Sequence, residues 1–256
     1  MPFMATAMHH IKPYTFDDLC RLVDHTNLHA NATENDMKRL CDEAKMFHFR
    51  MVAVNEAQVE YCARELAGTD IDTGAAIAFP LGQTTIACKV AETRDAIAHG
   101  AQEIDYVVNL TQVKRHNWAY VKDEMKQIVD VCNNAEVQRG AHWVRGISSK
   151  VIFECCYLND EEKIRLCELA HKVGPTFIKT STGFGSHGAT IHDVRLMRHY
   201  VGAEVQVKAA GGIRSADDFQ EMVRAGATRI GTSASVAIME EIRTCMQEAN
   251  VGCIEL

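Results

Sequence analysis

Eight short runs of β-branched and apolar residues recur along the chain, and between them lie stretches whose apolar residues repeat with helical spacing. The runs cover 22–26, 51–55, 75–79, 104–109, 151–155, 177–181, 204–209 and 229–232. Met37, Leu40, Cys41 and Ala44 fall at i, i+3, i+4 and i+7, the spacing of one buried helix face. Trp118, Val121, Met125, Ile128, Val129 and Cys132 do the same after the fourth run. Gly100, Gly174, Gly202 and Gly226 sit just past helical stretches and just before strands, where a residue tolerating positive φ ends a helix. Thr15 and Ser215 stand where N-caps are needed. Eight strand-helix units, with a longer fourth one, predict a single α/β domain, the (β/α)8 or TIM barrel. It spans residues 15–256 behind an N-terminal tail of 1–14 that holds His9-His10. An open doubly wound sheet is the alternative, but no G-x-G-x-x-G follows an early strand and the count of eight favours closure.

Bulk properties narrow the class of function. A net charge of -7 and the lack of any Lys/Arg run argue against a nucleic-acid partner. No apolar stretch approaches the ~20 residues of a membrane span, and no basic-then-apolar leader is evident. The ten cysteines contain no C-x-x-C pair, and the twelve histidines no H-E-x-x-H. Most cysteines fall on apolar helix faces as small hydrophobes. Neither a metal nor an organic cofactor is expected, and the reading is cytoplasmic.

In a barrel of this kind the chemistry sits at the C-terminal ends of the strands. There the chain supplies Asp24, Asn55, Asp105 (mid-strand), Lys179, Thr182, Lys208 and Ser233. Lys179 in Thr-Phe-Ile-Lys-Thr-Ser-Thr-Gly and Lys208 in Val-Gln-Val-Lys-Ala-Ala-Gly-Gly are lone lysines in apolar strands, where an unpaired charge is costly. Two ammonium groups in one desolvated pocket oppose each other's protonation. A neutral amine is the species that attacks a carbonyl to form a Schiff base. The competing reading is a pair of strand-edge lysines reaching solvent. Asp105, in Glu-Ile-Asp-Tyr-Val-Val-Asn, fits a proton shuttle or the counter-charge of the lysine pair, against a structural ion pair. Gly211-Gly212 after the seventh strand and Gly231-Thr232-Ser233 after the eighth read as a phosphate cradle of backbone N–H groups, or else as ordinary turns.

These segments resemble a known family. Asp24-His25-Thr26-Asn27-Leu28, Phe79-Pro80-Leu81-Gly82, Glu103-Ile104-Asp105, Phe177-Ile178-Lys179-Thr180-Ser181-Thr182-Gly183 and Val207-Lys208-Ala209-Ala210-Gly211-Gly212 are similar to those of the deoxyribose-phosphate aldolases, essentially from end to end beyond the tail. The resemblance implies a class I aldolase that reversibly cleaves 2-deoxy-D-ribose 5-phosphate into acetaldehyde and D-glyceraldehyde 3-phosphate. It implies Lys179 as nucleophile, Lys208 as the cation lowering its pKa, and Asp105 in a water-mediated proton relay. It places Asp24 and Thr182 near the substrate hydroxyls, and Gly183, Gly211, Gly212, Gly231 and Ser233 around the phosphate. Its partners would be the small sugar phosphate and aldehydes, and its assembly a homodimer. Phe184, Ala53, Glu56 and Ala234 depart from residues common in the family, which bears on fine specificity and not on the lysine chemistry. A Schiff-base aldolase of other substrate range and a silent sugar-phosphate sensor are the rivals.

Overall fold

Parallel hydrogen bonding links eight strands into a closed ring in the computed structural model, which describes residues 12–139 and 142–256. They are β1 (Val23–Asn27), β2 (Met51–Asn55), β3 (Asp72–Ile77), β4 (Glu103–Val107), β5 (Ser148–Ile152), β6 (Phe177–Lys179), β7 (Gln206–Ala210) and β8 (Arg229–Thr232). Each pairs with its chain neighbour, and β8 closes on β1 through Ile230 opposite Val23 and Gly231 opposite Asp24. The chain is therefore a (β/α)8 barrel, as its rhythm predicts.

Strand alternation divides the molecule into two interiors of opposite character. Outward-facing Val52, Val54, Ile104, Tyr106, Val151, Ile178, Val207, Ala209 and Ile230 join the helices in one apolar cluster. Met37, Leu40, Cys41 and Ala44 of the helix Glu34–Phe47 lie in it. So do Val121, Met125, Ile128, Val129 and Cys132 of the helix Trp118–Asn134, whereas Trp118 is only partly buried. Inward-facing positions instead carry Asp24, Glu103, Asp105, Lys150, Lys179, Lys208 and Arg229, all buried. The apolar layer outside supplies the stability that such an interior does not.

Local signals behave as their chemistry requires. Thr15 and Ser215 both cap helices through reciprocal boxes with Asp18 and Asp218. Gly174 ends the helix Asp160–Val173 at φ +78°, a conformation that costs glycine little.

Six of the eight strands differ from their expected bounds. The first does so by one residue at each end, the sixth by ending at Lys179, the seventh by running Gln206–Ala210, and three others as follows. The third strand starts three residues earlier than expected and ends at Ile77, because Ala78 turns the chain at φ +50°. The fourth ends at Val107, and Asn109 is used as a helix cap. The fifth runs Ser148–Ile152, three residues before the predicted window, and Cys155 lies in a short 3-10 turn. The long fourth unit holds a feature the periodicity did not show, an antiparallel hairpin of Glu136–Arg139 with His142–Arg145. Pro13–Tyr14, read as the end of the tail, pairs with Ile254–Glu255. Residues 1–11 of that tail, His9-His10 included, lie outside the described residues.

Candidate active site

Register places the functional strands so that their charged side chains meet at the barrel centre. Lys208 lies opposite Lys179 across β7 and β6, and Asp105 opposite Lys150 across β4 and β5. The Asp105 carboxylate is the hub. Its Oδ2 accepts from Lys179 Nζ at 2.9 Å and from Lys208 Nζ at 2.7 Å. Its Oδ1 accepts from Lys150 Nζ at 2.6 Å. Lys208 also contacts Asp24, and Lys150 contacts Glu103. Arg229 Nη1 completes the ring, 2.6 Å from Asp24 Oδ1 and 3.3 Å from Glu103 Oε2.

Burial and the charges of this ring together set the state of Lys179. Asp24, Glu103 and Asp105 supply three negative charges, and Lys150, Lys208 and Arg229 supply three positive ones. A protonated Lys179 is the fourth cation. At an effective dielectric of ~20, a charge pair at 4 Å is worth roughly 4 kcal/mol. Lys179 gains one such attraction, from Asp105, but faces the neighbouring ammoniums of Lys208 and Lys150 while lying 4% exposed. Burial is the largest influence, and with repulsion from Lys208 and Lys150 it overcomes Asp105 and brings Lys179 down to about 8. Lys150 goes the other way. Burial opposes its charge, but Asp105, Glu103 and Asp24 together outweigh that and hold it above the ordinary lysine range. Burial likewise opposes the Asp105 carboxylate, and Lys150, Lys179 and Lys208 overcome it to hold Asp105 well below the usual range.

Lys179 alone of the three lysines reaches the cavity at the mouth of the barrel, a space of about 270 Å³. Its walls include Thr182, Gly183, Gly211, Gly212, Gly231 and Ser233, together with Phe184 and Arg214. Thus most of the residues expected to hold substrate converge on one cavity, above the lysine. Asp24, Asp105 and Lys208 lie beneath it, buried and hydrogen-bonded into the ring. Gly183, Gly211 and Gly212 have φ of +88°, +85° and +78°, which turn the backbone toward the cavity. A Cβ on Gly211 would stand 3.1 Å from Gly183 Cα, so these loops approach as only glycines can. Gly231 lies inside β8, not beyond it. A Cβ there would meet Lys208 Cε at 3.1 Å, so its bareness makes room for that lysine. Phe184 stands half-exposed at the rim, edge-on to Phe79 with centroids 5.4 Å apart. A wider groove of about 500 Å³ crosses the outer helix layer, but its charged residues, Arg94 and Asp130, are solvated and unconverged.

Lys150, Glu103 and Arg229 were not singled out from the sequence, although each carried a signal. Glu103 is two residues before Asp105 and so shares its face, as Arg229 does with Gly231. Lys150 is a third lone lysine within a barrel strand, followed by Val151 and Ile152 and hidden by a window that opened one residue too late.

A barrel with a buried amine of depressed pKa at the floor of a glycine-walled cavity defines a carbonyl-attacking enzyme of the Schiff-base kind. Comparison with known proteins gives its lineage. A sequence model described as DeoC/LacD family aldolase matches residues 19–238, and the chain belongs to that family. It is 57% identical over 243 residues to the deoxyribose-phosphate aldolase of Lactobacillus acidophilus, covering 95% of this chain and 98% of that one. It is 47% identical to the enzyme of that name from Bacteroides thetaiotaomicron, over 88% of this chain and 90% of the other. The solved deoxyribose phosphate aldolase of Aeropyrum pernix, described as tetrameric, superposes with a TM-score of 0.81 at 28% identity, over 90% of this chain and 93% of that one.

Two stability predictions follow from the charge count. An ordinary lysine titrates near 10.5 and Lys179 near 8, so folding opposes its proton. The resulting cost is about 3 kcal/mol below pH 8, fades between the two values and vanishes above them. Lys179→Met is therefore expected to unfold at higher temperature than the parent at pH 7, with the gain shrinking towards pH 10 in calorimetry. Lys150→Met leaves Asp105 and Glu103 short of a cation, and denaturant titration should show a loss of about 3–5 kcal/mol.

Proposed function

We propose that this aldolase reversibly cleaves 2-deoxy-D-ribose 5-phosphate to acetaldehyde and D-glyceraldehyde 3-phosphate, with Lys179 forming the Schiff base. The observation that carries the reading is the amine near pH 8 at the floor of a cavity whose rim is built of positive-φ glycines. Neutral Lys179 adds to the sugar aldehyde, water leaves, and the iminium becomes an electron sink. The C2–C3 bond then breaks. Its electrons pass into an enamine, the C3 hydroxyl loses its proton, and glyceraldehyde 3-phosphate departs. Protonation at C2 and hydrolysis release acetaldehyde and restore the amine.

The chain's own residues divide this work. Lys208, bonded to both Asp24 and Asp105, is the fixed cation that disfavours a proton on Lys179. Of the roles open to Asp105, the counter-charge is the better supported. Both its oxygens already accept from ammoniums, and it stays ionised. A proton relay at Asp105 would therefore run through donors to its oxygens, without protonating the carboxylate. Backbone N–H groups of Gly183, Gly211, Gly212 and Ser233 hold the phosphate beside the N-terminus of the helix Ser235–Glu248. Thr182 and Asp24 are the expected hydroxyl-side residues; Asp24 acts from beneath, through Lys208. Phosphate binding remote from the reacting carbon supplies orientation.

Among the described residues no helix is long and apolar enough to cross a membrane. All ten cysteines are free, which suits a reducing, cytoplasmic setting. We expect a homodimer, and light scattering would separate it from a tetramer like that of the Aeropyrum pernix protein. The test of the chemistry is borohydride reduction in the presence of acetaldehyde, followed by peptide mass spectrometry. A two-carbon adduct is expected on Lys179 and on no other lysine, and none there in Lys179→Ala. An adduct on Lys150 or Lys208 would refute the assignment.

A further inference from the structure

The carboxylate of Glu154 lies just beyond β5 and takes no part in the charge ring. It is 2% exposed and sits in the left-handed region at φ +56°, a conformation uncommon for a residue with a side chain. Such a backbone persists only where its surroundings demand it. What it reaches is the loop after β6. Glu154 Oε1 accepts from the Thr182 N–H at 3.1 Å, and its Oε2 accepts from the Thr182 hydroxyl. That hydroxyl oxygen in turn accepts from the Phe184 N–H at 3.0 Å. The loop also rests directly on this side chain, because a Cβ on Gly185 would stand 3.3 Å from Glu154 Cδ and 2.5 Å from Cys156 Sγ.

The bonds enclose Gly183, whose N–H lies between the two residues Glu154 fixes. They also begin three residues after Lys179. We propose that Glu154 is a positioning residue: it sets the Thr182-Gly183-Phe184 turn so that the Gly183 N–H faces the phosphate of the substrate. This inference rests on the proposed sugar-phosphate reading of the cavity. It explains why a carboxylate is buried in a strained turn beside an anion site. Its charge is spent on two donors of one loop, which converts a flexible glycine segment into a preorganised one. Thr182, whose hydroxyl bridges Glu154 and Phe184, is part of the same device.

The test compares 2-deoxyribose 5-phosphate with unphosphorylated 2-deoxyribose in the parent, Glu154→Ala and Glu154→Gln. A displaced phosphate loop should raise KM for the phosphorylated sugar about tenfold or more in Glu154→Ala, while kcat/KM for the unphosphorylated sugar, which shares only the Thr182 contact, falls by a smaller factor. Glu154→Gln, which keeps the volume and one acceptor for the Thr182 N–H, should recover part of that loss and leave KM about threefold above the parent, so it serves alone if the alanine variant does not fold. Equal proportional losses on both sugars in the variants that fold would mean a general structural role and overturn the proposal. An unchanged KM for the phosphorylated sugar would overturn it as well. Failure of the aldolase reading itself would be told apart by the parent, which would then cleave neither sugar.

Discussion

Everything at the centre of this barrel depends on a balance of buried charge. Three carboxylates and three basic side chains close a ring around the barrel axis. Within it, burial of each ion costs several kcal/mol unless it is paired. Among these six groups the charges already balance, so a proton on Lys179 is unmatched; Arg50, 3.8 Å from Glu103, is itself paired with Asp72. Lys179, the proposed nucleophile, is thus kept neutral by exclusion: its neighbours have already used the negative charge that would stabilise an ammonium. Lys208 is the nearest agent, since it shares an Asp105 oxygen with Lys179, but Lys150 and Arg229 are what keep that carboxylate and its companions satisfied.

The fold makes such a ring possible by separating two tasks. Parallel strands of period two send apolar residues outward to the helices and charged ones inward, so the stabilising core and the reactive centre never compete for the same face. Register then sets which charges meet, Lys208 with Lys179 and Asp105 with Lys150. Small details serve the same end. Gly231 is bare so that the Lys208 stem can pass, and Phe177 offers its ring to the Arg229 guanidinium, 5.1 Å from its centroid. The family to which the chain belongs uses its barrel for aldol chemistry, and the central geometry here accounts for how an amine can perform it.

Much of this was legible from residues alone. The barrel followed from the eight-fold rhythm, and Lys179, Lys208 and Asp105 from the oddity of single charges in apolar strands. The glycine-walled cavity followed from paired glycines at strand ends, although Gly231 sits within its strand and faces Lys208. What escaped was whatever depends on pairing across strands. Lys150 falls one residue before a run whose boundary was placed by its β-branched residues, and nothing local says that Asp105 lies beside it. Asp24 looked like a strand-end group, yet it is the second residue of β1 and fully buried. Glu154 has no periodic signal, because its role comes from a positive φ and a contact with a loop twenty-eight residues away. The hairpin at 136–145 was hidden for a simpler reason, being an addition to the repeating unit.

The most direct measurement of the charge balance is the rate at which acetaldehyde is trapped on Lys179 as a function of pH, in the parent and in Lys150→Met. The account predicts a parent rate that rises about tenfold per pH unit and levels near 8, with the inflection of the variant displaced upward. A parent rate still climbing beyond pH 10, or the same inflection in both proteins, would contradict it.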